Sequence, residues 1–240
     1  AGDNRSLVGL LVEQIEFADV IILNKIGEAS DPETVRKLVR ALNPEAKLVE
    51  ADHSRVPLSA VLGTGLFEEG KAEQHPLWAK ELYGFADHAP ESETYGIESF
   101  VYRARRPFHP ARFRTFLNEE WPGVVRAKGH FWIATRPDWV GEMSQAGSQV
   151  TSQALGRWWA AIPKERWPRE NPAFQSLVRQ HWDDDWGDRR QELVFIGIGM
   201  DEAALRRRLD ACLVPERRFQ PRIWSKLPDP FPAWGERQAA

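Results

Sequence analysis

Apolar and polar positions follow two different periods in the first part of the chain. Apolar side chains recur every three or four residues over 7–18, which predicts an amphipathic helix. Residues 20–23 are apolar and β-branched without alternation, as in a parallel strand that is buried on both faces. A second helix is predicted over 32–42, and a short strand follows at 47–51. This order of elements predicts a parallel α/β unit.

The period changes after a polar segment at residues 68–93, which contains glycine and proline but few apolar anchors. Residues 94–215 then follow the order strand, helix, strand, strand, insertion, strand, helix. That order predicts an α+β domain with a four-stranded, mainly antiparallel sheet and helices on one face. A tail rich in proline and tryptophan occupies residues 216–240.

The expected organisation is therefore an α/β domain at 1–67, a linker at 68–93, an α+β domain at 94–215 and a tail at 216–240. The two cores differ in kind, which predicts separable domains with a hinge in the linker. We expect a fragment from about Thr94 onward to fold alone. The N-terminal fragment is expected to need further strands.

Composition narrows the class of protein. The chain has 240 residues, a formal net charge of -3 and a single cysteine, Cys212. One cysteine excludes an internal disulfide and fits a reducing, cytoplasmic location. No apolar run has the length of a membrane span, so no membrane association is expected. The negative charge gives no general attraction for nucleic acid, and no nucleic-acid partner is expected.

Asn24 and Lys25 end the first predicted strand abruptly. In open α/β sheets, ligands bind at the carboxyl ends of the strands. Asn-Lys also begins the guanine-recognition motif Asn-Lys-x-Asp of G-proteins. In that motif Asn and Lys brace the base and the neighbouring loops, and Asp accepts two hydrogen bonds from guanine. By analogy, the loop after the second strand touches the base, which places Ala51 and Asp52 near it.

Three stretches carry a wider resemblance: residues 11–19 before Asn-Lys, residues 126–132 and residues 187–196. Together they resemble the CobW-type GTPases, which are proposed metal-insertion chaperones. The resemblance implies a P-loop GTPase domain followed by a CobW C-terminal domain. It implies GTP or GDP with Mg²⁺, a transition metal (zinc or cobalt), GTP hydrolysis and delivery of the metal to a client metalloprotein. It is also compatible with a homo-oligomer.

The sequence departs from the family pattern at decisive places. Gly27 stands where the motif has Asp. Either the carboxylate is lost, or Glu28 or Asp31 replaces it, or a few residues are missing after Ile26. The phosphate-binding G-x-x-x-x-G-K-[ST] loop and the family's Cys-x-Cys-Cys motif are absent, so no catalytic or metal-binding residue is assigned. The sequence is expected to be a C-terminal portion of a longer protein or a truncated homologue, and enzymatic activity of the chain itself stays open.

A second function class is a non-enzymatic module that binds protein or RNA through the second domain. Its candidate residues are basic and aromatic positions on neighbouring predicted strands: Arg103, Arg105, Arg106, Arg126, Lys128, Tyr102, Phe131 and Trp132. His109 is expected to satisfy a turn, and the acidic run 183–188 to be a solvated loop. Cys212 is expected to be an inert core thiol because it lies on the apolar side of a helix.

Overall fold

The chain begins with a parallel α/β unit in the computed structural model, which describes residues 7–68, 96–168 and 170–234. Its helices and strands alternate, as the sequence predicts: α1 (Leu7–Glu16), β1 (Val20–Asn24), α2 (Pro32–Leu42) and β2 (Lys47–Ala51). β1 and β2 pair in parallel, with Asn24 opposite Ala51 at their carboxyl ends.

Two polar side chains fix how α2 is held. The Asp31 carboxylate caps the helix by accepting a hydrogen bond from the Thr34 N–H at 3.0 Å, and Pro32 occupies the first turn. At the other end, the buried Asn43 side chain donates to backbone carbonyls at the end of α1, including those of Ile15 and Ala18 at 2.9 Å each. Asn43 therefore ties α2 to the end of α1 through hydrogen bonds.

The second part is built on a five-stranded antiparallel sheet, so the expectation of four strands is wrong. The strands are β3 (Ile97–Ala104), β4 (Val124–Phe131), β5 (Trp139–Ala146), β6 (Gln149–Arg157) and β7 (Gln191–Ile198). Their spatial order is β3-β7-β4-β5-β6, and every neighbouring pair is antiparallel. The additional strand is β6, which returns along β5 after a two-residue turn.

One face of this sheet carries the main core. The helices α3 (Pro110–Leu117) and α5 (Glu202–Cys212) cover it. The core is aromatic, and its fully buried members include Phe108, Phe113, Phe131 and Phe195. Two further helices, α4 (Pro172–His181) and the short α6 (Pro221–Trp224), follow. A separate cluster of tryptophans contains Trp132, Trp158, Trp186 and Trp224.

The α/β unit packs on the opposite face of the same sheet. Ala41 of α2 is fully buried against Ile97, Val194 and Ile196. Val12 of α1 packs with Leu42 and Ala146. Helices therefore cover part of both faces of the five-stranded sheet, because α1 and α2 of the first unit pack on the face that α3 and α5 leave open. Within the second part, α3 and α5 cover one face of the sheet, as predicted, and the helices on the other face belong to the first unit.

A buried ion pair joins the two parts. Glu16, at the end of α1, and Arg126, on β4, are each 2 % exposed at the side chain. Arg126 Nε donates to Glu16 Oε1 at 2.6 Å, and Arg126 Nη2 donates to Glu16 Oε2 at 3.3 Å. Arg126 Nη1 donates to Ser144 Oγ at 2.8 Å and to the Gln145 carbonyl at 3.0 Å. The guanidinium is thus satisfied by both the helix and the sheet.

Exposed apolar side chains are concentrated in the α/β unit. Most of the large apolar residues that the structure leaves exposed lie within residues 7–67, among them Leu7, Leu11, Phe17 and Ile22. The predicted linker 68–93 lies outside the described residues except for Glu68, so the structure says nothing of the hinge. No helix in the described ranges is both long enough and apolar enough to cross a membrane.

We predict that Glu16→Gln lowers the free energy of unfolding by about 3–5 kcal/mol, because Arg126 then stays buried without its counter-charge. The measurement is urea denaturation of the whole chain. Gln14→Ala, at an exposed position on the same helix, is the control and should change stability by less than about 0.5 kcal/mol.

The double variant Glu16→Leu with Arg126→Met should recover most of that loss, since apolar residues of similar volume need no charge partner. A loss below about 1 kcal/mol in Glu16→Gln would show that the pair does not hold the two parts together.

Candidate functional site

The carboxyl ends of β1 and β2 form one edge, and all four residues predicted to lie at the base site are on it. The strand register places Asn24 directly opposite Ala51. Lys25 and Asp52 are the next residues along each strand, and both are exposed. The sequence prediction that these four residues lie together therefore agrees with their placement in the fold.

Asn24 connects the two loops at this edge. Its side-chain amide Nδ2 donates to Ser54 Oγ at 3.0 Å, and its Oδ1 accepts the Ser54 backbone N–H at 2.8 Å. One asparagine side chain thus fixes both the backbone and the hydroxyl of a residue on the neighbouring loop. An ionised aspartate at this position could accept hydrogen bonds from Ser54 but could not donate to its hydroxyl oxygen, as the Asn24 amide does.

The backbone is strained at the same place. Among the residues that the structure describes, three non-glycine residues have a positive φ: Lys25 at 59°, His53 at 54° and Ser54 at 57°. All three belong to the loops that follow β1 and β2. Such conformations cost free energy and persist where surrounding contacts hold them, which is common at functional sites. The Asn24–Ser54 hydrogen bonds are such contacts.

A carboxylate lies beside the position where the guanine motif has its aspartate. Gly27 N–H donates to Asp52 Oδ1 at 3.1 Å. A Cβ atom on residue 27 would stand 3.2 Å from Asp52 Oδ2. An aspartate at position 27 would therefore bring a second negative charge next to Asp52. Because glycine has no side chain, the Asp52 carboxylate can occupy this space and accept the Gly27 N–H.

The two replacements considered from sequence have other surroundings. Asp31 is engaged as the cap of α2, and its hydrogen bonds from the Thr34 hydroxyl and backbone lower the pKa of its carboxyl. Glu28 ends the 3₁₀ turn Ile26–Glu28 and is exposed. Sequence reasoning named Asp52 only by analogy of loops, and it did not anticipate the contact between Asp52 and Gly27.

Comparison with known proteins places the second part of the chain. Residues 97–213 match the family model of the cobalamin synthesis protein cobW C-terminal domain. We refer to these residues as the CobW domain. The resemblance seen in residues 126–132 and 187–196 is thus confirmed, since both stretches lie inside the matched range.

Curated relatives extend over almost the whole chain. The chain is 41% identical over 237 residues, or 95% of its length, to the zinc-regulated GTPase metalloprotein activator 1 of Dictyostelium discoideum. It is 29% identical over 97% of its length to a protein of Mycobacterium tuberculosis that is named as a zinc chaperone. The chain spans about half the length of these relatives, 49% of the first and 56% of the second.

Among solved structures, the Zn(II)-bound YjiA GTPase from E. coli matches 85% of this chain and 54% of its own chain. The identity is 19% and the TM-score is 0.39. Similarity at this level adds no argument about the site.

The basic residues expected to form a nucleic-acid surface on the CobW domain have internal partners instead. Arg126 is paired with Glu16, and Arg103 Nε donates to Glu192 Oε1 at 3.0 Å. The remaining cations bind backbone carbonyls or a carboxylate: Arg105 binds the His181 carbonyl, Arg106 the Val214 carbonyl and Lys128 the Glu142 carboxylate. A surface of free cations is therefore not present at these positions.

The aromatic residues of the same alternative are in the core. Tyr102 is 3% exposed, and Phe131 and Trp132 are fully buried. Side chains in this position cannot stack on nucleobases. The prediction that these basic and aromatic residues form an RNA- or protein-binding surface is wrong. Alternation in the sequence identified the strands, but it did not show which face of the sheet the helices cover.

The remaining candidates for chemistry have structural roles. His109 caps α3, accepting the Arg112 N–H at 3.5 Å, as the turn interpretation predicts. Asp183 and Asp188 accept backbone N–H groups of nearby turns. Within the described ranges, no group of three or more His, Cys, Asp or Glu side chains could hold a metal ion.

Cys212 is buried in the core under α5. Burial raises the pKa of its thiol to about 11, so the thiol stays protonated near neutral pH. This agrees with the predicted inert core thiol, because the thiolate is the reactive and metal-binding form.

His130 sits in a charged row across the CobW sheet. It lies opposite Glu192 of β7 on one side and opposite Glu142 of β5 on the other. Desolvation lowers the pKa of its imidazole, and Arg190 and Lys128 act in the same direction. The two glutamates oppose this shift. The net direction favours a neutral imidazole in the folded protein.

We predict that replacing Gly27 by Asp destabilises the chain more than replacing it by Asn, by about 0.5 kcal/mol at low salt. The two side chains fill the same space, so the difference reports repulsion from Asp52. Thermal unfolding of Gly27→Asp and Gly27→Asn, each alone and combined with Asp52→Asn, measures this difference in stability. The interpretation fails if the difference persists in the Asp52→Asn background.

We also predict that stability falls as the pH is lowered from about 6.5 to 5.5. Burial lowers the histidine pKa in the folded state, so the unfolded chain binds the proton more readily and stability is complete only above the ordinary value of 6.5. Urea denaturation at several pH values should show a smaller loss in His130→Gln. His109 and His181 shift in the same direction, so part of the loss should remain. An unchanged slope in His130→Gln would contradict the assignment.

Proposed function

We propose that this chain provides the guanine-recognition edge and the C-terminal domain of a CobW-type, GTP-dependent zinc metallochaperone. The edge built by Asn24, Lys25 and Asp52 is the observation that carries the proposal. The names of the two relatives, a zinc-regulated GTPase metalloprotein activator and a zinc chaperone, support the class and favour zinc over cobalt as cargo.

Asn24 acts here as the brace of the guanine site. It joins the loops after β1 and β2 through two hydrogen bonds to Ser54. This is the role that the resemblance assigns to the asparagine of Asn-Lys-x-Asp. Lys25 follows in a left-handed conformation, and its exposed side chain is available to pack along a base.

Asp52 supplies the carboxylate that Gly27 lacks. A guanine base presents an N–H and an amino group side by side, and an ionised carboxylate can accept from both. Asp52 Oδ1 is positioned by the Gly27 N–H at 3.1 Å, which leaves Oδ2 and further lone pairs for a ligand. Adenine has an acceptor where guanine has that N–H. The carboxylate therefore selects guanine.

The exposed apolar surface of residues 7–67 is where the rest of a nucleotide domain would pack. A two-stranded sheet with Ile22 41% exposed is a small part of such a domain. In the CobW-type GTPases the phosphate-binding loop, the Mg²⁺ site and the Cys-x-Cys-Cys motif lie upstream of the strand that ends in Asn-Lys. We place the hydrolytic chemistry and the zinc ligands there, and none in the described residues.

The CobW domain is then the part that responds to the nucleotide. Glu16 and Arg126 connect α1, which directly precedes the base-binding strand, to the centre of the five-stranded sheet. A change at the edge would be passed to the sheet through this buried pair. Delivery of zinc to a client metalloprotein is the outcome that the names of the relatives suggest.

We predict that the chain binds GDP weakly, with a Kd on the order of 1 mM, and does not hydrolyse GTP. Only contacts to the base are available, so the binding free energy that a phosphate-binding loop would contribute is absent. Titration with GDP, monitored by backbone amide NMR, should shift Lys25, Gly27 and the 52–54 loop. ADP should produce smaller shifts at the same concentration.

Asp52→Asn should abolish the preference for GDP over ADP. It should also gain a preference for xanthosine diphosphate, whose base has a carbonyl where guanine has an amino group. Glu28→Gln, which removes an exposed carboxylate from the adjacent turn, is the matched control and should keep the GDP preference. Equal shifts with GDP and ADP in the unaltered chain would refute a guanine edge.

A further inference from the structure

The outer edge of β6 is unpaired in the part of the chain that the structure describes. β6 is nine residues long, is last in the sheet order and pairs with β5 on its inner side. Residues of an antiparallel strand direct their N–H and C=O groups alternately to the two sides. Half of the backbone groups of β6 therefore point away from the sheet.

The turn between β5 and β6 identifies these outward residues. Gly147 and Ser148 form a two-residue turn, with Gly147 at φ 56° as a type II′ hairpin turn requires. Ala146 and Gln149 close the hairpin as its first hydrogen-bonded pair. Alternation from Gln149 then directs the N–H and C=O of three residues outward, namely Val150, Ser152 and Ala154.

This edge lacks the features that normally prevent strand pairing. Natural edge strands are protected by charged side chains, by proline or by bulges. Residues 149–156 contain no charge and no proline. The register with β5 shifts near Leu155, so a bulge disturbs only the last part of the strand. The regular segment 149–154 remains open to another strand.

We propose that β6 pairs with β6 of a second copy of this chain, antiparallel across a two-fold axis at Ser152. This register places Ser152 against the partner subunit's Ser152, and Val150 against the partner subunit's Ala154. All three outward residues of each copy then find a backbone partner. No two like charges meet along the strand, because the segment is neutral.

Charges at the two ends of β6 favour this occupant. The same axis brings the partner subunit's Arg157 to the hairpin turn of Gly147 and Ser148, since the bulge near Leu155 shifts the count by one residue. A cleft of about 590 Å³ lies there, lined by Glu120, Gly147 and Ser148 among others. The Glu120 carboxylate is exposed, so a guanidinium from the second copy would meet an acidic rim.

Arg157 lies on the correct face of the sheet for this contact. It pairs with Trp139 and stacks over its ring at 5.0 Å, while Val150 pairs with Gln145. Trp139 and Gln145 are an even number of residues apart on β5, so they share a face and so do their partners. Val150 and Gln145 both line the cleft. The Arg157 of each copy is therefore on the face where the cleft of the other copy opens.

The cleft also contains an acceptor that needs a donor. Gln145 is 4% exposed, and its Oε1 has no hydrogen-bond partner among the described residues. Its Nε2 donates to the Gly147 carbonyl, so the amide is fixed beside the turn. An arginine brought to this turn supplies N–H groups near this one unsatisfied acceptor.

Pairing through one edge strand buries less surface than a standard interface, so the dimer should be weak, with a Kd in the micromolar range. Sedimentation velocity of the whole chain between about 1 and 200 µM should show a shift from monomer to dimer. Ser152→Pro removes an outward N–H and should leave a monomer. Circular dichroism shows whether the variant keeps its fold.

Charged variants test the register without proline. Ser152→Lys places two lysines together at the axis and should weaken the dimer at least tenfold. Gln149→Lys adds the same charge opposite the partner subunit's Leu155 and should leave it intact. Arg157→Glu should weaken the dimer, and adding Glu120→Arg to the same chain should restore it.

A chain that remains monomeric at about 200 µM overturns the proposal, even if the edge accepts a strand of another protein. A dimer that both Ser152 variants leave unchanged uses another surface and also overturns it. A dimer that is lost in the Ser152 variants but is insensitive to Arg157→Glu refutes the axis at Ser152.

Discussion

The buried pair of Glu16 and Arg126 is the constraint on which the arrangement of the two parts depends. Removing two charges from water is costly, and their attraction offsets that cost only when the remaining hydrogen-bonding groups are satisfied. Arg126 meets this condition, because two of its bonds go to Glu16 and two go to β5. Apolar contacts would allow α1 to slide or rotate on the sheet. The paired charges allow one position, so the ion pair specifies geometry more than it adds stability.

A short series of elements connects this ion pair to the carboxyl ends of β1 and β2, where the guanine site is proposed. α1 ends at Glu16, β1 begins at Val20 and ends at Asn24, and Asn24 holds the loop after β2 through Ser54. Asn43, which follows α2, holds the end of α1 through hydrogen bonds to the carbonyls of Ile15 and Ala18. The loops that would contact a base are thus connected to the centre of the CobW sheet by packed or hydrogen-bonded elements. This connection is the physical basis for the coupling that we propose between the two parts.

The sequence predicted those parts of the structure that depend on local pattern. Period and capping residues identified the elements of the α/β unit and most of the strands. The end of the first strand pointed to Asn24 and Lys25, and only the analogy with G-protein loops pointed to Asp52. What it missed depends on contacts between distant residues. Glu16 and Arg126 are 110 residues apart, and Gly27 and Asp52 are 25 apart. The basic patch failed for the same reason, since a charge pattern does not show that each cation already has a partner. The start of β6 was expected to continue the sheet, but β6 was not predicted as a separate fifth strand, because its polar residues carry little strand pattern.

The strained backbone at the edge also has a consequence for binding. Left-handed conformations at Lys25, His53 and Ser54 each cost on the order of 1–3 kcal/mol, and folding must supply this free energy before any ligand arrives. Hydrogen bonds from Asn24 and between Gly27 and Asp52 hold the loops against that strain. At the proposed guanine site, a base would therefore meet loops that are already ordered, and less entropy would be lost on binding. The same reasoning explains glycine at position 27. A second carboxylate there would repel Asp52, weaken the bond that fixes it and lose the order that strain and hydrogen bonds together maintain.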